Sequence, residues 1–141
     1  MKMKVIIGSL LITLFFKGFS QNPASNINYE QTKKVEQKMP QFPGGNNAFY
    51  DYLDENVTLP EGFDKEKFLK EHKNQYVPIS VGFTIDVDGS IIDAKVIDGE
   101  DELLDQKALE IVKNMPKWDP GYLNGKPIKV QYAIPVRFNI I

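Results

Sequence analysis

The chain has 141 residues, 42% hydrophobic and 26% charged, the composition of one ordinary globular domain with room for a tail. Seventeen Lys and Arg against nineteen Asp and Glu leave a formal net charge of −2 without any basic run, so nucleic acid is not an expected partner. There is no cysteine, which excludes disulfides and a lipid-bearing N-terminal cysteine alike.

At the N-terminus, Lys2 and Lys4 precede the mostly apolar run Val5 to Phe16, and Lys17-Gly18-Phe19-Ser20 then leads to Gln21. This is the order of a charged region, an apolar region and a small residue before a cut, and residues 1–20 are read as a signal peptide. As a helix, the apolar run would span roughly 18 Å against a hydrocarbon core of about 30 Å, which makes an uncleaved inner-membrane anchor the alternative rather than the first reading. Cleavage before Gln21 removes Lys2, Lys4 and Lys17, leaving 14 basic residues against 19 acidic ones. Residues 21–38 are polar and lack apolar periodicity, so they are expected to be a disordered lead-in to a folded domain at 39–141.

Met39-Pro40-Gln41-Phe42-Pro43-Gly44-Gly45 combines prolines with a glycine pair and predicts an extended segment and a sharp turn. Ala48, Phe49, Tyr52 and Leu53 then recur at helical spacing, marking a short amphipathic helix whose apolar side covers part of a sheet. The glycines are read as a turn and not as a phosphate loop, since no strand precedes them and no Lys-Ser/Thr follows. A second helix is expected from Asp64, as N-cap, to His72, burying Phe63, Phe68 and Leu69.

From Pro78 the period changes to two. Ile79, Val81, Phe83, Ile85 and Val87 alternate with polar residues, and Asp88-Gly89 reads as a two-residue hairpin turn. That turn predicts the pairs Ile85 with Ile92, Phe83 with Ala94 and Val81 with Val96 on one face. The segment Asp86-Val87-Asp88-Gly89 is not read as a calcium loop, because its Asp-to-Gly spacing is wrong and the distal Glu is missing. Acids at Asp98 to Asp101 open a third helix with Leu104, Ala108, Ile111, Val112 and Met115 as its buried stripe, and Pro116 ends it. The proline-bracketed connector that follows carries Trp118, whose truncation is expected to cost about 3 to 5 kcal/mol. Asn124-Gly125 forms one more turn.

The last segment, Ile128 to Ile140, alternates most regularly of all and predicts a strand with one buried face. Pro135 inside it has no N–H to give, which places this strand at a sheet edge with the missing donor turned outward. An edge leaves a row of main-chain groups able to take up another chain.

The succession MPQFPGG, short helix, hairpin around DVDGSI, helix LLDQKALEIVKNMPKW, then DPG, NGKPIKV and QYAIPVRF resembles the C-terminal domain of the TonB energy-transducer family over residues 39–138. Met115-Pro116-Lys117-Trp118 with Pro120-Gly121, Gly125-Lys126-Pro127 and Ile134-Pro135-Val136 are its most specific parts. The chain departs from the family pattern at Leu59-Pro60, where Tyr-Pro is usual, and near Val77, where Gly is usual. The resemblance implies an α+β fold with a three-stranded antiparallel sheet packed against helices. A helix between the second and third strands gives sheet order 2-1-3 independently, because the third can lie antiparallel only beside the first.

The resemblance also implies that the final strand adds an extended segment, the TonB box of an outer-membrane receptor, to its sheet. The expected peptide-binding residues are therefore Lys129, Val130, Gln131, Tyr132, Ala133, Ile134 and Arg137, with the two cations favouring an acidic peptide. The expected role is a periplasmic binding module in TonB-dependent transport, with a TonB-dependent receptor or another envelope protein as partner. With a cleavable signal and a short lead-in it would not pull on a receptor by itself. The alternative is a homodimer, or an envelope assembly component, that uses the same edge. No enzyme activity, cofactor or metal is expected: His72 is the sole histidine, read as a solvated surface residue, and no nucleophile arrangement accompanies it.

Overall fold

The computed structural model describes residues 34–141; the expected signal peptide and most of the lead-in lie outside them. Nine elements follow in order: β1 (Gln37–Lys38), α1 (Gly45–Asn56), α2 (Lys65–His72), β2 (Tyr76–Ile85), β3 (Ile91–Asp98), α3 (Glu102–Lys113), β4 (Gly121–Leu123), β5 (Lys126–Ile128) and β6 (Val130–Asn139). The fold is α+β. Its main sheet has the order β3-β2-β6, entirely antiparallel, which is the 2-1-3 arrangement expected for the three long strands.

The period-two pattern of β2 explains the core. Val77, Ile79, Val81, Phe83 and Ile85 are all buried, as are Val136 and Phe138 of β6 and Ile140 just beyond it. Against this face lies the α3 stripe of Leu104, Ala108, Ile111 and Val112, extended by Met115. Asp101 caps α3, its Oδ1 accepting from Leu103 N–H at 2.9 Å and Leu104 N–H at 3.2 Å. The acids there are used as a helix start, by the geometry that favours Asp at such a position. Asp64 caps α2 in the same way, accepting from Lys67 N–H at 3.0 Å. Tyr52 ties α1 to α3 by donating to the Ile111 carbonyl at 2.8 Å, and its burial pushes the phenol above its ordinary pKa.

Four sequence expectations need correction. The first concerns order near the N-terminus, which reaches upstream of Met39: Gln37 and Lys38 pair with Leu123 and Tyr122, building a second sheet β1-β4-β5. Main-chain bonds hold it on both sides, from Asn124 N–H to the Glu36 carbonyl at 2.7 Å and between Gln41 and Asp119 at 2.8 and 2.9 Å. Lys38 Nζ adds a 2.6 Å ion pair with Asp119, which holds the ammonium above its ordinary pKa.

Second, the final segment is not one strand. Lys126–Ile128 pairs with β4 across the Asn124-Gly125 turn, Lys129 interrupts, and Val130 begins β6 in the main sheet. Third, the β2–β3 loop has three residues, not two. Gly89 N–H donates to the Asp86 carbonyl and Asp86 N–H to the Ser90 carbonyl, both at 2.9 Å, and only Gly89 of the expected turn pair has positive φ. A one-residue longer loop shifts the register, so Ile85 faces Ile91 and Thr84 faces Ile92, while Val87 is exposed. An irregularity between Gly82 and Thr84, beside Asp93 at φ 52°, restores the expected pair of Val81 with Val96. Fourth, His72 is half-buried: it stacks on Phe68 at 4.1 Å and lies 3.8 Å from a Glu100 carboxylate oxygen.

The physical reason for the longer loop is its docking on the connector. Trp118 N–H donates to the Gly89 carbonyl at 2.9 Å, and a Cβ on Gly89 would lie 1.9 Å from the Trp118 carbonyl oxygen. Trp118 itself is 7% exposed, with Phe42, Phe49, Phe83 and Tyr132 around it at ring separations of 5.6 to 5.9 Å. Gly89→Ala therefore combines a left-handed φ with a backbone collision, and should cost about 2 to 4 kcal/mol in urea unfolding. Gly125→Ala has a similar φ of 78° but nothing within 4 Å of the new Cβ, and should cost only about 1 kcal/mol. Equal losses would contradict the docking of the hairpin loop on Trp118.

Candidate functional site

The orientation of every main-chain group in β6 follows from its register. Pro78 faces Arg137, Ser80 faces Pro135, and all ten pairs from Tyr76–Asn139 to Ile85–Val130 keep one phase. In an antiparallel ladder opposite residues alternate between exchanging hydrogen bonds and exchanging none. Neither proline has a donor, so the phase in which both sit is the non-bonding one. The same register continues to Ile140, whose N–H donates to the Gln75 carbonyl at 2.8 Å. Even-numbered residues of the last strand thus bond to β2, and Gln131, Ala133, Pro135, Arg137 and Asn139 aim their main-chain groups away from it.

On that outer side no strand of the described residues pairs with β6. The edge expected at the last strand is present, with Pro135 turned outward. Side chains divide by the same parity: Val130, Tyr132 and Ile134 face the core side and are partly buried, whereas Gln131, Ala133 and Arg137 are exposed. The expected site residues accordingly make two groups. Gln131, Ala133 and Arg137 offer both outward main chain and accessible side chains; Val130, Tyr132 and Ile134 offer only their inward side chains. Lys129 stands apart, in the break between β5 and β6, with its Nζ 3.9 Å from Asp86 Oδ1. Arg137 has no ion-pair partner among the described residues.

One wall of the site was missed in the sequence. α1 runs beside the second half of the β6 edge, and between them lies a groove of about 550 Å³ lined by Phe49, Leu53 and Val57 of the helix side and Ile134, Pro135 and Arg137 of the strand. Tyr50, 62% exposed, and Asp54 stand at its rim. The available signal was Tyr50, an aromatic just outside the apolar stripe of Ala48, Phe49, Tyr52 and Leu53.

Other candidate groups are used structurally. In the β2–β3 loop Asp86 Oδ1 accepts from Val87 N–H at 2.8 Å and Asp88 Oδ1 from Ser90 N–H at 2.9 Å. The Ser90 bond holds the Asp88 carboxyl below its ordinary pKa. Among the described residues no group of three or more His, Asp or Glu is placed to hold a metal ion, and no helix is long and apolar enough to cross a membrane.

Residues 71–140 match the family model of the Gram-negative bacterial TonB protein C-terminal. Among solved structures, the chain is similar to the C-terminal domain of TonB from Helicobacter pylori determined by NMR, at 24% identity and a TM-score of 0.37, over 69% of this chain and 85% of that one. No curated protein matches.

The parity of β6 is tested by proline substitution. Ala133→Pro removes an outward N–H and should change stability by no more than about 1 kcal/mol, whereas Ile134→Pro leaves a buried β2 acceptor unpaired and should cost about 2 kcal/mol or more beyond Ile134→Ala. Thermal and urea unfolding give both numbers; the reverse order of sensitivity would contradict the assigned phase.

Proposed function

We propose that this chain, whose residues 71–140 match the family model of the TonB C-terminal domain, is a periplasmic binding module that takes up an extended segment of a TonB-dependent outer-membrane receptor by adding it to β6. The observation that carries the reading is the row of outward main-chain groups at the open edge of the β3-β2-β6 sheet. Export follows from the signal-like residues 1–20, and the module acts in TonB-dependent transport as a binding partner, without catalysis of its own.

The edge sets a scale for the affinity. Gln131, Ala133 and Arg137 each offer a donor and an acceptor and Pro135 offers an acceptor alone, so up to about seven main-chain bonds at about 0.5 to 1.5 kcal/mol each oppose an association cost of about 4 to 15 kcal/mol. Main-chain pairing alone therefore gives a weak, reversible complex, and side chains must supply the remainder.

Titration of the ¹⁵N-labelled protein with N-terminal peptides of TonB-dependent receptors should shift amides contiguously over residues 130–135. Ala133→Pro, which deletes one outward donor, should weaken the binding by about tenfold with the fold intact. Shifts confined to residues 42–60 with the last strand silent would contradict the reading. So would dimerisation through β6 in sedimentation without peptide, which would assign the edge to a second copy.

A further inference from the structure

Main-chain pairing does not choose among sequences, because every extended peptide carries the same amides and carbonyls. The selective element must lie beside the ladder, and the groove between α1 and β6 lies there. Its helical wall, Phe49, Leu53 and Val57, and the strand residue Ile134 are half-buried apolar side chains packed on the core, so its floor is the core itself. At about 550 Å³ it falls within the range of about 300 to 1,000 Å³ that holds drug-sized ligands, ample for a large side chain.

An incoming strand inherits the two faces of β6. Side chains opposite even-numbered residues turn to the core side and meet the α1 wall, whereas those opposite odd-numbered residues turn outward beside Ala133 and Arg137. At Pro135 the ladder lacks a donor, so the guest loses a main-chain bond beside the groove, where apolar burial is available in its place. Charge separates the faces further. Asp54 at the rim disfavours a carboxylate inside the groove. Arg137 borders the end of the groove, but strand alternation roots it on the outer face, beside Tyr76, Pro78 and Asn139, and it has no ion-pair partner among the described residues.

We propose that the α1–β6 groove is a side-chain subsite that takes an apolar residue of the added strand opposite Ile134, while Arg137 pairs with a carboxylate on the opposite face of that strand. Positions 134 and 137 differ by three and lie on opposite faces, so the guest pattern is an apolar residue and an acid three places apart. This specificity rests on strand addition at β6, and the test keeps the two separate.

A Ser/Thr host peptide carrying one Leu and one Glu three residues apart, made in both chain orders, is titrated into ¹⁵N- and methyl-labelled protein. One order should shift the 131 and 133 amides together with the Leu53, Val57 and Ile134 methyls. Replacing its Leu by Ser should weaken binding about tenfold or more and leave those methyls still. Replacing Glu by Lys should weaken binding to the native protein and restore it in Arg137→Glu, an exposed change that leaves the core untouched. Equal binding of the Leu and Ser peptides with silent methyls, or a Lys peptide indifferent to Arg137→Glu, would overturn the subsite while strand addition stands. Amides of β6 that respond to none of the peptides, when receptor peptides do move them, would likewise overturn it; amides silent to every peptide would remove strand addition itself.

Discussion

Pro78 and Pro135 lie on adjacent strands in a single register, and neither has an N–H to give. Had they fallen on opposite phases of the ladder, one of them would have left a buried β2–β6 position without its bond. Because they share a phase, the pairing is complete where it is buried and open where it faces out. That constraint determines which half of the residues in β6 are fixed to the protein and which half are available to a guest. The apolar alternation agrees with it, since Val136, Phe138 and Ile140 are all buried on the core side. Backbone chemistry and side-chain burial select the same register, which leaves no room for a one-residue slip.

The rest of the chain holds this edge in place. Trp118 joins the aromatic group under α1 to the β2–β3 loop through the Gly89 carbonyl, and Tyr132 brings β6 into the same cluster. The small sheet β1-β4-β5 then fixes the start of the folded region against the segment that feeds β6. Lys129 is the point at which the chain leaves one sheet for the other. A strand so anchored at its near end and paired along its full length to β2 is a rigid template, and rigidity lowers the ordering cost that an incoming segment must meet.

Much of this was legible in the residues because local pattern and tertiary role agree. The α3 stripe and its acidic start, the Asp64 cap, the buried face of β2 and the edge marked by Pro135 each follow from a short-range signal. What escaped did so for identifiable reasons. Gln37–Lys38 is too short to show a period, so its pairing with β4 has no sequence signature. Ile128 continues the alternation of the final strand in phase, and only the pairing of Lys126–Ile128 with β4 separates it as part of β5. The three-residue loop was hidden by Asp88-Gly89, which favours a shorter turn, and is selected by contact with Trp118, a residue far along the chain. The groove at β6 was invisible because periodicity identifies the apolar face of α1 but not which strand runs beside it. The site was legible as a strand, therefore, and illegible as a cleft.

Parity along β6 is the claim on which strand addition, the weak main-chain affinity and the side-chain subsite all stand. Hydrogen exchange of the free protein reads it residue by residue, because a sheet amide is protected when it donates within the ladder and exposed when it points off the edge. The account predicts slow exchange at Tyr132, Ile134, Val136 and Phe138 alternating with fast exchange at Gln131, Ala133 and Arg137. Uniform protection along the strand would mean that the outer flank is already filled, and would contradict it.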